Sequence, residues 1–182
     1  MVEGFRHGGH DGELGRDLTG YEDGTENPTG DEALEVALVG ADGGAAAGSS
    51  FVAVQRWIHN MSAYRKLSRE DADNIIGRRL DDNEEMDDAP ESAHVKRTEQ
   101  EGFEPEAHVL RRSSPWSSPD GEGLMFIAFG YSTDAFEVQM RRMAGLDDGI
   151  TDGLFQISTP VTGGYYWCPP VSDGRFDLGA IG

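Results

Sequence analysis

The chain has 182 residues, enough for one domain with a sizeable core, and eight Phe, five Tyr and three Trp are available to fill it. Its 34 acidic and 15 basic side chains give a net charge of −19 at pH 7, a field that repels nucleic acid and anionic membrane surfaces. No apolar run approaches the ~18 residues of a membrane span, and the one cysteine, Cys168, excludes an internal disulfide and thiolate-rich metal sites. No basic-then-apolar leader opens the chain, so a reducing, cytoplasmic setting is expected. Abundant acids beside only two lysines, Lys66 and Lys96, are the composition expected of a protein from a salt-rich habitat.

Residues 1–18 are polar and Gly-rich, without a period, and are expected to form an arm or interdomain segment; residues 19–182 are expected to form the domain. Thr19 to Pro28 is dense in turn signals. Residues 29–40 fit a short helix or a strand, and Ala41–Ser50 is a connector of small residues. From Ser50 to His59 the pattern alternates with both faces apolar, which predicts a central strand covered on both sides. Asn60 or Ser62 can cap a short helix ending near Leu67. Ser68, followed by Glu70 and Asp71, caps a second helix running to about Gly77. Residues 78–107 read as a long acidic loop with His94 in its middle, and loops of that length are often functional. His108 opens a short β run leading to Arg111 and Arg112. Gly123–Tyr131 is the second clear strand, Thr133 or Asp134 caps a helix through Met143, Asp152–Ile157 fits a short helix, and Gly164–Trp167 a last strand. Mixed strands and helices predict an α+β domain.

Three windows could carry chemistry. In Gly20-Tyr21-Glu22-Asp23-Gly24 two glycines flank a carboxylate, allowing a sharp turn that aims Asp23 at a ligand; the same residues also make an ordinary turn. His94 can direct one ring nitrogen at a metal while the other meets a carboxylate, or can simply face solvent. Arg111-Arg112 can bind an anion or stabilise developing negative charge, or can be two surface arginines. His59 is expected to pack or hydrogen-bond at its strand end, and His7 and His10 could chelate only weakly. Asp81 to Glu85 lacks the glycine and closing Glu of a calcium loop and reads as a solvated acidic face.

Taken in order, Arg16 to Pro28, Gly48 to Asn60, Ile76-Gly77-Arg78, Ser92 to Val95, Leu110 to Ser113 and Val161 to Tyr166 resemble the dye-decolourising (Dyp-type) haem peroxidases, with Gly24-Thr25-Glu26-Asn27-Pro28 similar to the bacterial B-type branch. The resemblance implies a ferredoxin-like half, an antiparallel sheet with helices on one face, of a dimeric α+β barrel-type peroxidase. It implies haem b as cofactor, hydrogen peroxide as substrate, and dyes, phenolics or similar compounds as reductants. Site roles follow from it residue by residue: His94 as axial ligand to the haem iron, Asp23 and Arg111 as catalytic groups, Leu124 and Phe126 as apolar contacts of the haem face. Arg78 is implied as a haem-propionate contact, Gly24 as part of the haem-side turn, Asp152 as the carboxylate behind His94, and Ser113 as a neighbour of the catalytic arginine. Trp57, Trp116 and Tyr131 are candidates for electron entry. Gly4-Phe5-Arg6 resembles an interior segment of the family, so an upstream half is expected, with the chain pairing with that half or forming a homo-oligomer. A haem-binding module with little turnover, or a non-catalytic remnant, is the alternative.

Overall fold

The computed structural model describes residues 15–181; Gly4 to Arg6, His7 and His10 lie outside them. After an isolated bridge between Arg16 and Glu22, the elements run α1 (Gly30–Ala37), β1 (Ser50–His59), α2 (Met61–Tyr64), α3 (Arg69–Ile76), α4 (His94–Thr98), β2 (Leu110–Arg111), β3 (Ser114–Ser118), β4 (Gly121–Gly130), α5 (Asp134–Met143), β5 (Ser158–Cys168), β6 (Val171–Ser172) and β7 (Arg175–Phe176). The sheet is antiparallel with order β2-β4-β1-β5, and β3 pairs with β4 on the same side as β2. This is the order a β-α-β-β-α-β unit gives when its helices return the chain across one face, and it makes the domain ferredoxin-like α+β.

The strand alternation decides which side chains meet. Ala53, Gln55 and Trp57 of β1 stand opposite Ala128, Phe126 and Leu124 of β4 and share one face. On that face Ala53, Ala128, Val109 and Phe136 form the core, with Phe126 and Met140 packed against it. Full burial of a side chain such as Val109 or Phe136 is worth about 1.5–3 kcal/mol over its exposed state. On the other face Val52 is buried, whereas Val54, Ile58, Met125 and Ile127 are half-buried. Trp116 lies there too, with the Arg56 guanidinium 3.9 Å from its ring centre and its indole N–H donating to the Trp57 carbonyl.

Several local signals resolve in detail. Asn60, not Ser62, caps α2, its Oδ1 accepting from Ala63 N at 3.0 Å, and Ser68 caps α3 by accepting from Asp71 N at 3.0 Å. Residues 29–40 contain a helix rather than a strand. His94 stands at the first position of α4 instead of in a loop; five residues are too few to show a helical period. His108 precedes β2 and bonds Glu106. The last large strand is eleven residues long, far beyond Gly164–Trp167, since Pro160 and a register shift opposite Arg56/Trp57 hide its start; proline is tolerated there because β5 is an edge strand.

Candidate functional site

Two adjoining cavities, of about 140 and 180 Å³, open between the helix-bearing sheet face and the layer formed by α3, α4 and α5. They share Glu22, Ile76, His94, Thr98, Arg111 and Gln139. The smaller is walled by Trp57, Leu124, Phe126, Phe136, Met140 and Leu154, and Asp23 reaches it as well. The larger is rimmed by Glu26, Arg78 and Glu85.

His94 is held from behind. Its Nδ1 lies 2.8 Å from Asp152 Oδ2, and Asp152 is 1% exposed. The other carboxylate oxygen of Asp152 accepts from Leu154 N at 2.8 Å, so the short 3-10 turn at Gly153–Gln156 fixes the carboxylate and the carboxylate fixes the ring. With Nδ1 as donor, Nε2 is the nitrogen left to face a ligand. Arg97, one turn further along α4, forks onto Asp148 at 2.7 and 2.8 Å and ties the helix to the loop leading to Asp152.

Asp23 and Arg111 come from distant segments. Gly20 and Gly24 adopt φ of +93° and +86°, left-handed values that admit the tight turn presenting Asp23. Arg111 Nη1 lies 3.7 Å from Asp23 Oδ1, and both side chains are 23% exposed. That separation allows attraction without a direct hydrogen bond, which leaves oxygens and N–H groups of the pair available to a bound molecule. Arg112 turns outward and donates to the Arg111 carbonyl. Ser113 sits between β2 and β3 with its hydroxyl buried and, among the described residues, unpartnered; it lines neither cavity. Arg78 is paired with Glu26 and Glu85 and donates to the Asn83 carbonyl. Trp57 is buried against the smaller cavity and stacks on Phe155, whereas Tyr131 is half-exposed.

The structure adds a polar group that local sequence reading did not detect. His59 bonds Ser158 Oγ through Nδ1 at 2.7 Å and Asp17 Oδ1 through Nε2 at 3.0 Å, at one end of the smaller cavity. The three residues are too far apart in the chain for any spacing rule to link them; only His59 at a strand end was a signal. Tyr21 OH donates to Asp73 and Tyr64 OH to the Thr19 carbonyl, so the turn carrying Asp23 is tied to the sheet end and to two helices. Burial and the bond to Asp73 push the Tyr21 phenol well above its ordinary range, which keeps it a donor. Burial opposes the charged form of Asp17, yet the hydrogen bond and charge of His59, with Thr19 and Leu18 donors, outweigh it and hold the carboxyl below its ordinary 3.8. A depressed carboxyl contributes stability above the unfolded value, and this is lost as pH falls through the folded one. Asp17→Asn is therefore expected to destabilise the fold at pH 7 by about 1–3 kcal/mol. The gap to the parent should close below about pH 4; parallel melting curves at pH 7 and pH 3 check this, and equal gaps at both would refute it.

A single histidine backed by a buried carboxylate suits a metal that brings its other ligands with it, as iron in a porphyrin does. The apolar walls beside it suit a flat organic ring; Arg111 lies within the same pair of cavities, and Arg78 stands at their rim already paired with Glu26 and Glu85. Fold and site together thus define a ferredoxin-like α+β domain in which a carboxylate-backed histidine and an Asp–Arg pair share one apolar-walled cavity. Residues 15–173 match the family model described as Dyp-type peroxidase, C-terminal, and the chain belongs to that family. It is 36% identical over 178 residues to a dye-decolorizing peroxidase of Mycolicibacterium paratuberculosis, covering 93% of this chain and 48% of that protein. It is 35% identical over 164 residues to one of Mycobacterium tuberculosis, covering 86% and 48%. Among solved structures, a Dyp-type peroxidase of Shewanella oneidensis superposes with a TM-score of 0.79 at 36% identity, covering 85% of this chain and 52% of the other. A Rhodococcus jostii DypB variant in complex with heme gives a TM-score of 0.78 at 36% identity, with the same coverage. The chain spans about half the length of the relatives it matches.

Proposed function

We propose that this domain is the haem-binding part of a hydrogen-peroxide-dependent peroxidase that oxidises dyes, phenolics or similar reductants. One observation carries the reading: the His94–Asp152 unit and the Asp23–Arg111 pair open on the same cavity. The family membership and the names of the relatives support it.

Haem b would be held by His94 Nε2 on the iron, with Leu124 and Phe126 against the ring and Arg78 toward a propionate; when bound it supplies a redox centre at which peroxide is reduced. The residues do the rest. The Asp152 carboxylate orients His94 and strengthens its donor nitrogen. The Asp23 carboxylate is placed to take a proton from one oxygen of peroxide and hand it to the other, the proton transfer that reduction of peroxide at the haem would need. The Arg111 guanidinium stabilises the negative charge that builds on the oxygens. Gly24 holds the turn that presents Asp23, and Ser113 backs the strand segment that carries Arg111.

The reading extends to setting. The −19 charge argues against nucleic acid as a partner. Among the described residues no helix is long and apolar enough to cross a membrane. We place the protein in the cytoplasm, with a folded unit that includes Arg16 and Asp17, since Arg16 bridges to Glu22 and Asp17 bonds His59. The half-buried sheet face around Val54 and Ile127 would meet a second ferredoxin-like half or another copy of the chain.

An absorbance spectrum after adding haem, then peroxide, tests the proposal. A sharp Soret band that shifts with peroxide is the expected result; a Soret band that peroxide leaves unchanged would favour a haem-handling module without turnover. Asp152→Asn should raise the haem reduction potential by weakening the His94 donor, as read by spectroelectrochemistry; an unchanged potential would remove Asp152 from its role.

A further inference from the structure

We propose that Asn27 is a positioning residue that sets the spacing between Asp23 and Arg111. This rests on the reading of that pair as the groups acting on peroxide. The Asn27 side chain matches both its polar atoms to the backbone of one residue: Nδ2 donates to the Arg111 carbonyl at 2.9 Å, and Arg111 N–H donates to Oδ1 at 2.8 Å. A neighbouring strand would supply the same two bonds. β2 is only two residues long and pairs with β4 through Leu110↔Phe129 and Arg111↔Ala128, and the Asn27 amide satisfies the backbone groups of Arg111 that β4 leaves free.

The turn preceding Asn27 is shaped for this contact. Asn27 N donates to the Gly24 carbonyl at 3.0 Å, closing a turn directly after Asp23. A Cβ on residue 24 would lie 2.6 Å from Asn27 Nδ2. Glycine at 24 therefore serves twice, for its positive φ and for the space that lets the amide reach β2. Asp23, the turn, the amide and Arg111 form one closed path of short links. The Asp23–Arg111 contact, at 3.7 Å and partly exposed, is too weak to keep its own register, since ion pairs of this kind contribute little. The path through Asn27 does so in its place.

The test uses Asn27→Asp, which keeps the shape but turns an acceptor toward the Arg111 carbonyl, with Asn27→Ala as second variant. In the haem-loaded chain, Asn27→Asp should slow the reaction with peroxide by about tenfold to a hundredfold, the range that small misplacements of reacting groups produce. Haem content should stay at the parent level. In an Arg111→Ala background the same substitution should change the rate by less than about twofold, because the two act as one unit. In the haem-free chain, exchange of the Arg111 amide proton should quicken in both variants. Parent-like rates in Asn27→Asp alongside a slow Arg111→Ala would overturn the positioning role alone. An equal loss in both backgrounds would also overturn it, as would unchanged amide protection. A parent-like rate in Arg111→Ala itself would overturn the underlying reading of the pair, and the positioning role with it.

Discussion

A His94→Ala chain mixed with haem is expected to show no sharp Soret band, and its affinity should fall by more than about a hundredfold, the upper end of what losing a mere supporting partner costs. The reason lies in how much of the domain converges on this ring. Asp152, almost wholly buried, has one oxygen on His94 and the other on Leu154 N, so removing the imidazole also leaves a buried carboxylate half-satisfied. Apolar contacts with Leu124 and Phe126 remain in the variant but give no fixed orientation, because they are non-directional. Added imidazole, filling the space and binding the iron, should restore part of the band. An unchanged Soret band in His94→Ala would remove the ligand assignment, and with it the orientation of the whole site.

Arg111→Ala should leave haem content intact and slow the reaction with peroxide by about a hundred- to a thousandfold, the cost of losing one preorganised donor to a developing anion. Arg111 emerges from β2, whose pairing to β4 holds the backbone, and its side chain reaches both cavities. Asp23 would lose its cationic neighbour at the same time. Arg111→Lys separates charge from shape: a lysine keeps the positive charge but lacks the planar fork, so a rate between parent and alanine variant is expected. Stopped-flow absorbance at several peroxide concentrations reads both variants. Equal second-order rates in parent and Arg111→Ala would end the proposed role.

The site residues differ in how far they were legible. Strand β1 announced itself by a β-rich run with apolar groups on both faces, and α5 by a capping position and sufficient length. β3 did not, because Ser-Pro-Trp-Ser-Ser has no apolar period; it exists through its pairing with β4 and the turn at Pro119-Asp120. Asp23, His94, Arg111 and Asp152 stand on four separate segments, and no local spacing relates them. The resemblance of several stretches in order named them, and folding brings Asp23, His94 and Arg111 to one cavity and Asp152 behind His94. Of the Asp17–His59–Ser158 group only His59 at its strand end gave a signal, and the Asn27–Arg111 contact gave none, since each joins residues at least 42 positions apart.

What the sequence determined by itself is whatever depends on neighbours in the chain. The charge that repels nucleic acid is a sum over residues, the main strands follow from short runs rich in apolar, β-branched and aromatic residues, and the caps of α2 and α3 follow from side chains that reach three residues on. Only the tertiary structure decided which face of β1 is covered, that Asp152 stands behind His94, and that a two-residue strand holds Arg111 3.7 Å from Asp23. Those facts depend on non-local contacts, where burial and hydrogen-bond geometry select among arrangements that local propensity leaves equal in energy.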